Sequence, residues 1–335
     1  MPSRKNLMRD FYIILLYAIL VWALMAFFAW DLIWQAWLKE TNIVAGVMAL
    51  GSFVAGATCL GGGAVAFPVL TKVMGIDAFT AKTFALAIQS AGMSSASFFI
   101  LLTVRNLPWR FIGLYLKGSL IGLFIALLWL DTLIASQDIR ITFTLFCLGF
   151  LIVFILTNNH KVCIRQSINT HTYKSQTLII VFGVIGGLAS GLMGSGADLL
   201  AFCALAIYFR LSIRIATQVS VLMMTVNSLV GISVQILWLE NMPPLTAQLW
   251  YAALPVVIIG APLGALVCKY ISQKLLFIFV ILLVVAEVVS TLWLIPVEGS
   301  KIKYYAIAFV LALAGLFLSH WHPHNHRDNR KNANI

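Results

Sequence analysis

The chain has 335 residues, 61% of them hydrophobic and 10% charged, with a mean hydropathy of +0.99. Ordinary soluble chains carry about 25% charge, so the composition excludes a soluble domain and implies an all-α polytopic membrane protein. The net charge of +11 reads as loop charge under the positive-inside rule, not as a nucleic-acid footprint, because no basic stripe interleaves with stacking aromatics.

Arg4, Lys5 and Arg9 precede the apolar run 11–30. That run is too long for a signal-peptide core of about 7–15 residues and no small-residue cleavage site follows, so it reads as a retained first helix. Apolar runs recur to Phe317, long enough to cross ~30 Å of hydrocarbon and without the alternation of barrel strands. Full spans are expected near 11–34, 79–103, 110–130, 139–157, 213–238, 247–268, 274–295 and 304–319. Two further segments, 43–74 and 177–209, are interrupted by glycines.

The interruptions repeat. Gly56-Ala57-Thr58-Cys59-Leu60-Gly61-Gly62-Gly63-Ala64 lies 135 residues before Gly191-Leu192-Met193-Gly194-Ser195-Gly196-Ala197-Asp198-Leu199. At that offset Gly51, Gly56 and Gly61 fall on Gly186, Gly191 and Gly196, and Asn106-Leu107-Pro108 falls on Asn241-Met242-Pro243. The chain therefore divides into an extra N-terminal helix (1–42), a first repeat (43–157), a basic linker (158–176), a second repeat (177–295), an extra C-terminal helix (296–319) and a His-rich tail (320–335). The flanking helices are expected to act as scaffold or oligomer contacts.

Each interrupted segment is either one kinked span or a re-entrant pair of half-helices. Re-entry puts Arg105, Arg110, Lys161, Arg165, Lys174, Arg210, Arg214, Lys269 and Lys274 on the same face as Arg4, Lys5 and Arg9. Full spans would move the basic linker and the Arg105/Arg110 pair to the other face and largely erase the bias. The positive-inside rule favours re-entry, with both termini cytoplasmic. Each half then crosses three times, an odd number, so the second repeat is inverted and the glycine turns face each other. Irregular backbone at membrane depth survives only where it is buried in protein or lines a watery cavity.

Such turns suit a small anion. Glycine lets other groups approach the backbone closely, and a helix starting just beyond offers unpaired N–H groups and the positive end of its dipole. Gly61, Gly62, Gly63 and Ala64 would form one such end, and Ser195, Gly196, Ala197 and Asp198 the other. The alternative for several glycines, Gly118 and Gly122 among them, is close helix packing.

The glycine motif followed by an apolar half-helix with Pro68, and repeated in the second half, resembles the TauE/SafE family of sulfite and organosulfonate transporters. The resemblance covers about 43–295 and implies two glycine-rich halves that move sulfur oxyanions or sulfonates, commonly outward. Gly56, Gly61, Gly62, Gly63 and Pro68 match its first motif, and Gly191, Gly194 and Gly196 its second. Cys59, Ala197, Asp198 and Cys203 stand where the pattern has Gly, Gly, Gly and Pro.

The helices after each motif carry polar residues: Lys82, Thr83, Gln89, Ser90, Ser94 and Ser95 in the first, and Thr217, Gln218, Thr225, Asn227 and Gln235 in the second. Thr83 and Gln218 share the offset. They and Gln89 are candidate substrate contacts, since hydroxyls and amides suit the acceptor oxygens of an oxyanion; interhelical bonding is the alternative. Lys117 reads as a snorkelling residue. Asp198 and Glu287 are the acids expected at membrane depth, and intramembrane acids are functional by default. Ser195 to Asp198 also fits a capping box. Glu287 and Asp198 are the candidate proton carriers.

The five cysteines form neither a disulfide framework nor a zinc pattern. The histidines at 320, 322, 324 and 326 could bind a metal or act as a flexible tail. No Ser–His pair, paired carboxylates, metal cluster or Walker motif suggests catalysis, so no cofactor and no enzyme activity are expected. The leading reading is a secondary transporter of a small sulfur anion in the cell (inner) membrane. The alternative is an anion-selective channel with the same selectivity elements. The partners implied are the anion and membrane lipid, with self-association left open and no nucleic acid.

Overall fold

In hydrocarbon every backbone N–H and C=O needs an internal partner, so long apolar runs fold as helices. The computed structural model describes residues 4–38, 42–62, 66, 69–130, 136–158, 168, 170, 172–294, 301–307, 309–310 and 313. Helices make up 87% of them, without a β-strand element among them. The helices are α1 (Arg4–Phe28), α2 (Trp30–Trp37), α3 (Asn42–Ala57), α4 (Ala78–Thr103), α5 (Trp109–Ile125), α6 (Ser136–Asn158), α7 (Tyr173–Met193), α8 (Ala197–Cys203), α9 (Ile213–Leu237), α10 (Pro244–Tyr270) and α11 (Gln273–Leu294). Seven of these regions, those of α1, α4, α5, α7, α9, α10 and α11, are long and apolar enough to cross a membrane.

Two expectations need correction. The run 11–34 is not one helix: the chain bends at Ala29, and α2 turns back so that Ile33 and Ala36 are buried. Trp37 Nε1 then donates to Ala252 O on α10 at 3.0 Å. The helix around 139–157 is present, but its apolar stretch is only Thr144–Leu156. Asp10 of α1 is fully buried, and Arg9, Lys269 and Tyr270 all donate to it. The first-turn residues Gly63 and Ala64, the tail 320–335 and most of the linker 158–176 lie outside the described residues, as does much of 304–319.

Helices α4 and α9 form the centre, with 72% of the apolar window of each buried inside the protein, against 17% for α1 and 33% for α7 and α11. Contact order fixes their directions. Ser97 on α4 bonds Thr225 on α9 at 2.6 Å while Leu86 packs on Gly231, so α4 and α9 run antiparallel. Ser119 and Leu123 on α5 meet Asn227 and Gly231 in the same order, so α5 and α9 run parallel. Thr80 and Gly92 on α4 likewise meet Thr246 and Val257 on α10 in the same order.

Glycine packing sets the two closest helix pairs. On α5, Gly118 and Gly122 lie against the backbone of Ile180 and Val184 of α7, while Gly183 and Gly187 lie against Tyr115 and Ser119. On the other side, Gly56 of α3 abuts the Ala261 carbonyl of α10, and Gly264 abuts Phe53 O. Any Cβ at these positions would overlap backbone, so glycine here works as the small-residue packing face.

Local geometry recurs at the 135-residue offset. Single π-helical turns occupy Val69–Val73 and Ala204–Tyr208. Met74 N bonds Val69 O and Ile76 N bonds Leu70 O at 3.0 and 2.9 Å; Phe209 N bonds Ala204 O and Leu211 N bonds Leu205 O, both at 3.0 Å. Positive φ recurs as well, at Gly61 and Gly196 and at Gly75 and Arg210. Asp77 and Ser212 cap the two following helices, accepting from Thr80 N and Ile215 N.

Candidate anion site at the paired glycine turns

Helix α7 ends because Gly194 takes the left-handed conformation (φ 78°), and Gly196 (φ 136°) then starts α8. Both values are ordinary only for glycine. The equivalent bend in the first copy is Gly61, at φ 65°. Gly62 does not share that conformation.

The two turns meet. A Cβ placed on Gly61 would overlap Asp198 Oδ2 and come within 2.8 Å of Gln89 Oε1. Gln89, on α4, donates through Nε2 to Gly194 O at 2.7 Å and to Ala85 O at 3.0 Å, tying the second turn to the central helix. Of the sequence-derived candidates, then, Gly61, Gln89 and Asp198 converge. Gly62 faces a small pocket lined by Met48, Ser52, Gln89, Val257 and Ala261 among others, with room for about one water.

The start of α8 differs from the expected capping box. The N-cap is Gly196, not Ser195. Asp198 Oδ1 reaches back to Gly196 N (3.1 Å) and also accepts from Leu199 N (3.0 Å), while Ala197 N donates to Ser190 Oγ (2.9 Å). Three of the N–H groups expected to be available are therefore satisfied by the protein. Ser195 is nearly buried at the bend and Ala197 is buried, its carbonyl accepting from Tyr115 Oη at 2.7 Å. Thr83 is buried with its hydroxyl donated to Phe79 O within α4. Gln218 is buried on α9, next to Thr217. Lys82 is buried too, its ammonium over the Phe79 ring and its carbonyl facing Gly194.

Glu287 is nearly buried on α11 and accepts from Thr291 Oγ1 at 3.4 Å. Cys147 of α6 is in electrostatic reach of both Glu287 and Asp198. No group of three or more metal-ligating side chains occurs among the described residues.

Sequence reasoning missed three participants. Ser190 and Tyr115 fix α8 through single hydrogen bonds that no periodicity signals. Trp250 lies 135 residues after Tyr115, and its buried Nε1–H has no partner among the described residues. Its ring packs on the cluster of Met48, Leu70, Ile88 and Val257, three of which also line the pocket beside Gly62. The offset was the one available signal.

These features define a class: a multi-pass helical membrane protein whose helices break at two facing glycine turns. The model of the sulfite exporter TauE/SafE family matches residues 43–291, and the chain belongs to that family. The family consists of transporters rather than enzymes. No curated protein and no solved structure matches the chain.

Proposed function

We propose that this protein is a secondary transporter that exports a small sulfur anion, sulfite or an organosulfonate, through a site between the two glycine turns. The observation that carries the reading is the meeting of Gly61 with Asp198 and Gln89, in a chain of this family. The anion is held at the first glycine motif, for which the sequence nominates Gly61, Gly62, Gly63 and Ala64 and in which no acid corresponds to Asp198, and by the Trp250 indole N–H. Gln218 and the backbone at Ser195 complete the proposed binding set; Thr83, Gly196 and Ala197 join it only if their present hydrogen bonds to Phe79, Asp198 and Ser190 are exchanged for the anion. The pocket has room for about one water, so the conformation is closed and the elements around Gly62 part to admit substrate. An ionised Asp198 would repel the anion, so a proton arriving with substrate relieves the conflict. Glu287 and Asp198 are the proposed proton carriers.

The topology we propose has two inverted repeats, each with a re-entrant glycine hairpin, and cytoplasmic termini. Parallel α5 and α9 support it. If α5 and α6 both cross, a segment 177–209 that begins and ends on one side is what lets α9 run with α5. The antiparallel pair α4 and α9 supports a two-fold axis in the membrane plane. Helix α7, with 21 residues, is about 31 Å long at 1.5 Å per residue, so the hairpin reaches past mid-depth. Cysteines at Arg105 and Asn241 should label from opposite faces; labelling from one face removes the re-entrant topology.

The decisive experiment is flux in proteoliposomes across sulfite, sulfoacetate, taurine, thiosulfate and sulfate, with and without an imposed ΔpH. Uphill accumulation of a sulfur anion is the expected result, made insensitive to ΔpH by Glu287→Gln or Asp198→Asn. Strictly downhill flux would identify a channel, and no sulfur-anion flux would overturn the assignment. Unchanged pH dependence in both variants would end the proton proposal.

A further inference from the structure

At the meeting point of the turns, two acceptor oxygens face each other without a donor. Asp198 is 1% exposed and Gln89 2% exposed. Among the described residues, Asp198 Oδ2 and Gln89 Oε1 both lack a hydrogen-bond partner, and both lie against the position a Gly61 Cβ would occupy. The amide cannot turn over to relieve this. Its two N–H groups already hold Ala85 O and Gly194 O, and an amide has no further donors. Asp198 Oδ1 is likewise committed to two backbone N–H groups.

A buried carboxylate oxygen beside a second acceptor is unfavourable unless something positive stands between them. The other ionisable groups in electrostatic contact with Asp198 are the thiols of Cys59 and Cys147 and the Tyr115 phenol, none of which carries positive charge. Lys82 directs its ammonium over Phe79.

We propose that Asp198 Oδ2 and Gln89 Oε1 bind one monovalent cation, a proton or a sodium ion, and that this cation latches the two glycine turns together. The chemistry is shared. A proton on Oδ2 makes a carboxyl donor to the amide oxygen, while a sodium ion takes both oxygens as ligands. A side chain at Gly61 would overlap Asp198 Oδ2 and crowd Gln89 Oε1, displacing both oxygens from any shared cation. When the cation leaves, the two acceptors repel and the turns part, which opens the pocket beside Gly62. The coupling role rests on the transporter reading above; the binding itself does not.

The test uses the purified full-length protein without any sulfur anion. Thermal unfolding is followed while sodium replaces choline at fixed pH, and separately as pH falls from about 8 to about 6 in choline, since a ligand that binds only the folded state raises the unfolding temperature. A saturable rise in one arm is expected, and that arm names the cation. Asp198→Asn supplies an N–H to Gln89 Oε1 and should unfold near the loaded wild-type temperature, with no response to either cation. Gln89→Leu should weaken the response roughly tenfold or more. Flat wild-type curves in both arms, or the same response in Asp198→Asn, would overturn the site whether or not the variants fold. Cation-dependent stability without sulfur-anion flux would instead retain the latch and remove the substrate assignment.

Discussion

A methyl group added at Gly61 and one added at its neighbour Gly62 should have very different consequences. At Gly61 the backbone has φ 65°, where an L side chain costs roughly 1–2 kcal/mol. The same Cβ overlaps Asp198 Oδ2 and approaches Gln89 Oε1 to 2.8 Å, and overpacking a tight site costs about 1–3 kcal/mol. Gly61→Ala should therefore lose about 2–5 kcal/mol, with loss of transport. At Gly62 the nearest atoms to a Cβ are Met48 Cε at 3.4 Å, Ala55 Cβ at 3.7 Å and Gln89 Cγ at 3.9 Å, which is ordinary contact. Gly62→Ala should stay within ~1 kcal/mol of wild type, while the larger Gly62→Val fills the pocket and stops flux. Denaturant titration of detergent-purified variants, paired with proteoliposome flux, reads both quantities. Measured against Asp198→Ala alone, which itself loses the bonds to Gly196 N and Leu199 N, adding Gly61→Ala should cost less than it does in wild type, because the Asp198 overlap is gone and only the backbone strain and the Gln89 approach remain. Equal stability losses at Gly61 and Gly62, or an undiminished cost of Gly61→Ala in the Asp198→Ala background, would refute the argument that the turns meet at Gly61.

Trp250→Phe keeps most of the packed ring and removes the unpartnered N–H, so substrate affinity should fall by about 1.5–3 kcal/mol with little change in stability; unchanged flux kinetics would take Trp250 out of the site. Asp10→Ala leaves Lys269 facing a buried gap, and breaking a buried pair costs about 3 kcal/mol or more; protease access to α1 reports its release. Hydrogen bonds from Tyr305 and then Lys301 hold the Asp138 carboxyl below its usual range. That contribution is present above the unfolded carboxyl value and lost as pH falls through the lowered folded value. It is at most ~1 kcal/mol because the pair is partly solvated. Hydrogen exchange at 301–307 should quicken in acid, and Asp138→Asn should remove the pH dependence.

What the sequence determined alone is the one-dimensional part. Composition required a helical membrane protein, and the spacing of Gly56, Gly61, Gly191 and Gly196 located both helix breaks. The same 135-residue offset later reappeared in the π turns and their hydrogen bonds, because those features depend on local backbone chemistry. Helix ends were less legible. Beyond the bend at Ala29, Trp37 bonds Ala252, far along the chain, and Asp10 is buried by partners about 260 residues away.

The site divides the same way. Gly61 and Asp198 could be nominated from residue type, and Gln89 from its place in an apolar helix. Only the tertiary structure decided that these three meet while Thr83 bonds its own helix. It also decided that Ser190, not Ser195, receives the Ala197 N–H. A hydrogen bond needs its partners within about 3 Å in the right direction, and residues as far apart as Gln89 and Gly194 acquire that relation only when the helices between them have packed.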